Sequence, residues 1–155
     1  MKKSVVVLLH VGYWVMYLFL ITDAYSHKIV GWHLSKSYAT EGALKALRMA
    51  LGENKNIKGL IHHSDRGIQY CCKEYVAILK NKEVKISMTE NGDPYENAIA
   101  ERVNGILKEE FLLDEKFANK ASALKAVKEA IGSYNNRRPH WSLNLYTPQQ
   151  INKAA

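Results

Sequence analysis

The N-terminal apolar run from Val5 to Ile21, interrupted only by His10 and Gly12, restricts the fold more than any other feature. Behind Met1-Lys2-Lys3 it has the outline of a signal peptide or a short membrane anchor. Its content argues for something else. It lacks a small-x-small cleavage site near its end, is rich in Val, Tyr and Trp, and carries a turn-capable His10-Val11-Gly12 in its middle. β-branched and aromatic side chains around a turn suit two buried strands better than a membrane span. Residues 4–10 and 14–22 are therefore read as strands. A turn over 22–27 leads to a third strand from Lys28 to Ser35, completing an antiparallel meander.

After the meander, helices and short strands alternate. Thr40 is the expected N-cap of a helix to about Leu51, with Ala43, Leu44, Leu47 and Ala50 on one face and Gly52 as its stop. Residues 59–62 form a short strand, 68–80 a helix and 84–88 another short strand. A polar loop over 89–95 carries Gly92 and Pro94. A helix over 96–112 follows. A last helix spans 119–135, with Ala121, Leu124, Val127, Ala130 and Ile131 as its apolar stripe. This order predicts an α/β fold, a mixed five-stranded sheet of three antiparallel strands then two parallel ones, flanked by helices. At 155 residues, 47% apolar and 24% charged, the chain is long enough for one domain with a real core. The expected division is a core over 1–135 and a basic, turn-containing C-terminal extension over 136–155.

The formal charge of +7 favours polyanionic partners, since Lys and Arg release counterions from phosphate backbones. The two cysteines, Cys71 and Cys72, are adjacent and so poorly placed to pair with each other. They fit a reducing compartment and the role of small buried side chains. No zinc spacing, Gly-x-Ser-x-Gly, His-Glu-x-x-His, P-loop or dinucleotide fingerprint occurs.

Two carboxylates carry the chemistry. Asp65 follows a short apolar strand in His62-His63-Ser64-Asp65-Arg66-Gly67, where active sites of such sheets gather. Alone, it reads equally as a helix cap or turn residue. Glu101, with 35 residues between it and Asp65, alone reads as a solvated helix charge. At helical spacing, however, Asn97, Asn104, Gly105 and Lys108 share its face. That polar, partly small stripe admits a nucleic-acid backbone, with Lys108 and Asn104 offered to phosphate. Ile99, Val103 and Ile106 form the opposite stripe, toward the sheet. Arg137 and Arg138 beside Trp141 can contact phosphate and base, or form a solvated tail with one packed Trp.

Five stretches in order resemble the catalytic core of insertion-sequence transposases that share the retroviral integrase (rve) domain of the DDE superfamily. They are Tyr17 to Ser26, Ile29-Val30-Gly31-Trp32, His63 to Tyr70, Asn91 to Glu101, and Tyr134-Asn135 with Arg138-Pro139-His140 and Thr147-Pro148. The resemblance implies a ribonuclease H-like fold, two Mg²⁺ (or Mn²⁺) ions and cleavage and joining of DNA strands, a polynucleotidyl transferase reaction. Two such metals, about 3.5–4 Å apart, clamp the attacking and leaving oxygens.

Carried over, Asp65 matches the second catalytic carboxylate and Glu101 the third, both metal ligands. The first belongs on the opening strand, near Val5, where Ser4-Val5-Val6 offers none and no Asp or Glu precedes Asp23. Asp23 matches a residue that the family keeps at a strand end or turn, outside the metal cluster. Activity is accordingly expected to be impaired, in an N-terminally truncated or frame-shifted copy without the family's helix-turn-helix. The implied partners are transposon-end and target DNA, further copies of the chain, and an upstream helix-turn-helix polypeptide. The implied setting is the bacterial cytoplasm, with the nucleoid. A non-catalytic DNA-binding or dimerising fragment is the main alternative. A small membrane-anchored basic protein is the other.

Overall fold

The computed structural model describes residues 1–53, 57, 59–65, 67–88 and 98–154. The apolar run folds as the strands β1 (Lys2–Val11) and β2 (Trp14–Asp23), paired antiparallel residue for residue from Lys2–Asp23 to Val11–Trp14. The turn between them is Gly12-Tyr13, just beyond the expected position. Gly12 has φ +59°, and glycine is favoured at the first position of such a two-residue hairpin. No helix among the described residues is long and apolar enough to cross a membrane.

β3 (Ile29–Ser35) pairs antiparallel with β2. β4 (Ile61–Ser64) pairs parallel with β1, and β5 (Lys85–Met88) parallel with β4. The resulting order, β3-β2-β1-β4-β5, is the mixed sheet that the sequence predicts.

Each face of the sheet is covered. On one side α1 (Thr40–Glu53), the short α2 (Ile68–Cys71) and α3 (Lys73–Asn81) pack Leu44, Leu47, Tyr70, Tyr75 and Leu79 against Phe19, Ile21 and Val30. On the other, α4 (Ala98–Glu109) and α5 (Lys120–Asn136) pack Val103, Leu107, Val127, Ile131 and Tyr134 against Val7, Leu9, Leu18 and Leu20. Val7, Leu9, Val11, Met16 and all four residues from Leu18 to Ile21 are buried between these layers, which explains most of the apolar N-terminal run.

Several local expectations change. The helix expected over 68–80 divides at Cys72, which is extended (ψ 147°) because its Sγ caps α3 by accepting the Tyr75 N–H at 3.3 Å. Cys71 is exposed and Cys72 half-buried, so neither is a buried filler. Both thiols are free. Gly52 lies inside α1, and Thr40 is its first residue rather than its cap. Ala121 is exposed, because Ala123, Val127, Ala130 and Tyr134 take the buried stripe of α5. That helix starts at an Asn119–Ser122 capping box, a device of about 1 kcal/mol. The loop expected over 89–95 and the start of the helix at 96 lie outside the described residues.

The C-terminal residues are not merely turn-like. After a 3₁₀ turn (Trp141–Leu143), α6 (Pro148–Ala154) lies against α5, with His140, Leu143 and Pro148 buried.

Gly31 sets how closely α1 approaches the sheet. A Cβ there would stand 2.2 Å from the Ala46 carbonyl oxygen and 2.8 Å from the Ala50 Cβ. Gly31→Ala is expected to destabilise the fold by about 3 kcal/mol or more, read as a lower urea midpoint.

Candidate active site

Asp65 directly follows β4, near the middle of the sheet. Its Oδ1 accepts the Gly67 N–H at 2.9 Å. A Cβ at position 67 would meet Gln69 Oε1 at 2.7 Å and Asp65 Oδ1 at 2.9 Å, so a larger residue there would push these two side chains aside. These two oxygens therefore lie within about 6 Å of each other. Gln69 Oε1 and the neighbouring Ser64 Oγ are buried with no hydrogen-bond partner among the described residues.

The parallel register pairs Lys2 with His62 and Lys3 with His63. Carried two residues on, it sets position 5 of β1 level with Asp65. β1 reads Lys-Lys-Ser-Val-Val-Val-Leu-Leu-His-Val and holds no carboxylate.

Glu101 lies in the first turn of α4, exposed, and α4 packs across β1. Val103, Ile106 and Leu107 of α4 are buried, whereas Asn104, Gly105 and Lys108 are half-exposed along the Glu101 stripe. A Cβ on Gly105 would meet nothing within 4 Å, so this stripe opens outward. Asn104 Oδ1 is buried and has no hydrogen-bond partner among the described residues. Asn97, expected on the same stripe, lies outside the described residues.

Asp23 stands apart from this region. It pairs with Lys2 at 3.0 Å, and its other oxygen accepts the Ser26 hydroxyl at 2.7 Å and the Ser26 N–H at 3.1 Å. Burial alone would raise its pKa, but the Ser26 bonds and the Lys2 charge hold it below the usual carboxylate value. Level with His62, it sits about 10 Å down the sheet from Asp65 by strand rise. It is thus the strand-end residue that the sequence comparison implies, committed to a buried ion pair.

Beneath the Asp65 end, the His62 Nε2 lies 3.0 Å from the Tyr75 hydroxyl and 3.3 Å from the Ser4 hydroxyl, tying β1, β4 and α3 together. Burial, aided by His63, pushes the His62 pKa down to about 4.

The basic candidates divide. Arg137, the C-cap of α5, is exposed. Arg138 is forked onto Glu110 at 2.5 and 2.6 Å, which holds the Glu110 carboxyl below its ordinary pKa. Trp141 is 87% exposed. Beside these residues a cleft of about 610 Å³ opens between α4 and the 139–145 segment. The sequence does not show this cleft, because its walls come from segments some 40 residues apart. The Arg102 next to Glu101 was its one local signal.

Among the described residues, no three His, Cys, Asp or Glu side chains gather as a metal site. Magnesium binds through one or two carboxylates, retained waters and substrate phosphates. Asp65, with the buried Gln69 and Ser64 oxygens beside it, offers the hard oxygen donors that such an ion takes, and Glu101 offers another from α4.

The family model of the integrase core domain (rve) matches residues 5–94, and a second integrase core domain model matches 82–148. A 31 kDa protein of insertion element IS600 from Shigella sonnei is 39% identical over 134 residues, covering 86% of this chain and 49% of that protein. The transposase of IS629 from Shigella sonnei is 35% identical over 139 residues, covering 90% of this chain and 47% of that protein. The chain thus spans about half the length of the curated relatives it matches. In fold it is similar to the HTLV-2 integrase catalytic core domain solved in complex with magnesium, with TM-score 0.76, 18% identity, and 97% and 93% of the two chains covered. A chain of the simian T-cell lymphotropic virus intasome gives TM-score 0.80 at 16% identity, with 97% and 52% covered.

The buried His62 makes stability depend on pH. Between its ordinary 6.5 and about 4, the unfolded imidazole takes a proton that the folded one refuses. Stability is therefore full above pH 6.5 and declines as the pH falls, by about 3 kcal/mol from His62 once pH 4 is reached. Thermal melts from pH 8 to 4.5 are expected to show this decline, and His62→Gln to flatten part of it.

Proposed function

This chain belongs to the integrase core (rve) family of insertion-sequence transposases, and from that premise we propose that it is a DNA transposition and integration core whose catalysis is impaired. The observation that carries the reading is the β1–β4 register. It sets Asp65 level with a position on β1 that holds no acid, while Glu101 sits on the helix crossing that strand.

Asp65 and Glu101 are the catalytic residues in this reading, and they would hold a divalent ion, Mg²⁺ or Mn²⁺. When bound, the ion polarises the scissile phosphate and activates the attacking hydroxyl or water. The Gly67 N–H donates to the Asp65 carboxylate, which stays exposed beside the buried Gln69 and Ser64 and so is open to a substrate phosphate. Lys108 and Asn104 bind the DNA backbone along the outward stripe of α4. Arg137 adds a phosphate contact from the end of α5, and Arg138 joins by trading Glu110 for phosphate. Residues 1–135 act as the core and 136–155 as a basic extension packed back on it. Transposon ends and target DNA are the substrates, and the working form is a homo-oligomer. The two-ion arrangement needs a third carboxylate that β1 does not supply, which favours the second reading, a non-catalytic DNA-binding or dimerising fragment, for the chain as it stands.

Supercoiled-plasmid nicking in Mg²⁺ or Mn²⁺ tests this. The chain is expected to nick no faster than its Asp65→Asn and Glu101→Gln variants. Val5→Asp is expected to raise nicking at least about tenfold and to add a metal-dependent rise in melting temperature. Metal-dependent nicking by the unaltered chain that vanishes in Asp65→Asn would overturn the impairment.

A further inference from the structure

The cleft beside α4 has no part in holding the metal, and its composition suits a particular ligand. Its floor is apolar: Ile99, Val103 and Ile106 from α4, and Tyr134 from α5. Its rim carries Arg102 and the exposed indole of Trp141. Arg138 is paired with Glu110, and Arg102 adds a second guanidinium, so among the described residues the cleft lining carries positive charge. A volume of about 610 Å³ lies within the usual range for ligand clefts.

One wall adds a polar group without a partner. His140 is 6% exposed, packs edge-on to Tyr134 at 5.0 Å between ring centres, and has a buried Nε2 with no hydrogen bond. The loop that presents it is rigidly closed. Asn144 and Leu145 both take positive φ (53° and 65°), and the His140 N–H donates to the Tyr146 carbonyl while the Leu145 N–H donates to the His140 carbonyl. Non-glycine residues hold such a conformation only where the surroundings impose it. The loop is thereby fixed with Trp141 standing out into solvent.

An apolar slot with an exposed aromatic and cations at its rim matches a flat aromatic ring joined to an anion. We propose that this cleft binds an unpaired nucleotide of DNA. The base lies against Trp141 and Ile99, and its phosphate meets Arg102. Arg102 follows Glu101 on α4, so the slot lies one helical step around from the carboxylate. A strand lying along the Glu101 stripe can therefore turn one base into it. A stacked, paired base has neither face free and cannot enter. This assignment rests on the reading of the chain as a DNA-acting core.

The test is fluorescence anisotropy with the full chain, in EDTA so that no strand is cut. The probes are labelled duplexes of one sequence, blunt or with a two-nucleotide unpaired end. The unpaired end is expected to bind more tightly. Trp141→Ala and Arg102→Gln, both at the cleft rim, are each expected to weaken that binding about five- to fifty-fold while leaving blunt-duplex binding unchanged. Trp14→Ala, at the exposed hairpin turn, is expected to change neither. Binding to blunt duplex with no preference for the unpaired end overturns the assignment alone. So does an equal loss on both probes, or a shift in oligomeric state by light scattering with the preference intact, which would mark a protein interface. No binding to either probe overturns the DNA-acting reading as well.

Discussion

The architecture depends on the burial of β1 at the centre of the sheet. It pairs antiparallel with β2 over ten residues on one edge and parallel with β4 on the other, and helices cover both its faces. The β4 pairing covers the start of the strand, at Lys2 and Lys3, and its buried residues Val7, Leu9 and Val11 enter the apolar layer beneath α4 and α5. Everything functional is positioned from it. β4 delivers Asp65 beside it, and α4 lays Glu101 across it.

The centre of the sheet also takes in polar groups, each with compensation. Lys2 and Asp23 are both nearly inaccessible and face each other at 3.0 Å, with Ser26 filling the second carboxylate oxygen. Such a pair is costly to break, about 3–5 kcal/mol when one partner is removed, because the other charge stays buried. It closes the end of the β1–β2 ladder opposite the hairpin. His62, held neutral by burial, does related work through Tyr75 and Ser4. These contacts explain why Asp23, the only acid near the start of the chain, is unavailable to a metal site.

α4 shows how one helix serves three surfaces. Its inward stripe joins the core, its outward stripe carries Glu101, Gly105 and Lys108, and the flank between them forms the wall of a cleft through Arg102. Helical periodicity makes the first two surfaces legible in sequence. The third requires the 139–145 loop, whose position follows from two left-handed residues and a set of backbone hydrogen bonds.

By itself, the sequence determined the order and type of the elements, the mixed sheet and the two candidate carboxylates. Hydrophobic period, turn residues and acid spacing are local quantities, and they express themselves wherever the chain folds. It also showed that no acid stands on the opening strand. The tertiary structure alone decided the rest. The β1–β4 register, a pairing of Lys2 with His62 and Lys3 with His63, joined segments 60 residues apart and brought the opening strand beside the one that leads to Asp65. Capping by Cys72 split a helix that its periodicity ran together. Arg138 was taken by Glu110, 28 residues away, and His140 was folded under Trp141 into a cleft wall. Each of these depends on which distant groups meet, and long-range packing, unlike periodicity, leaves no trace in a short stretch of chain.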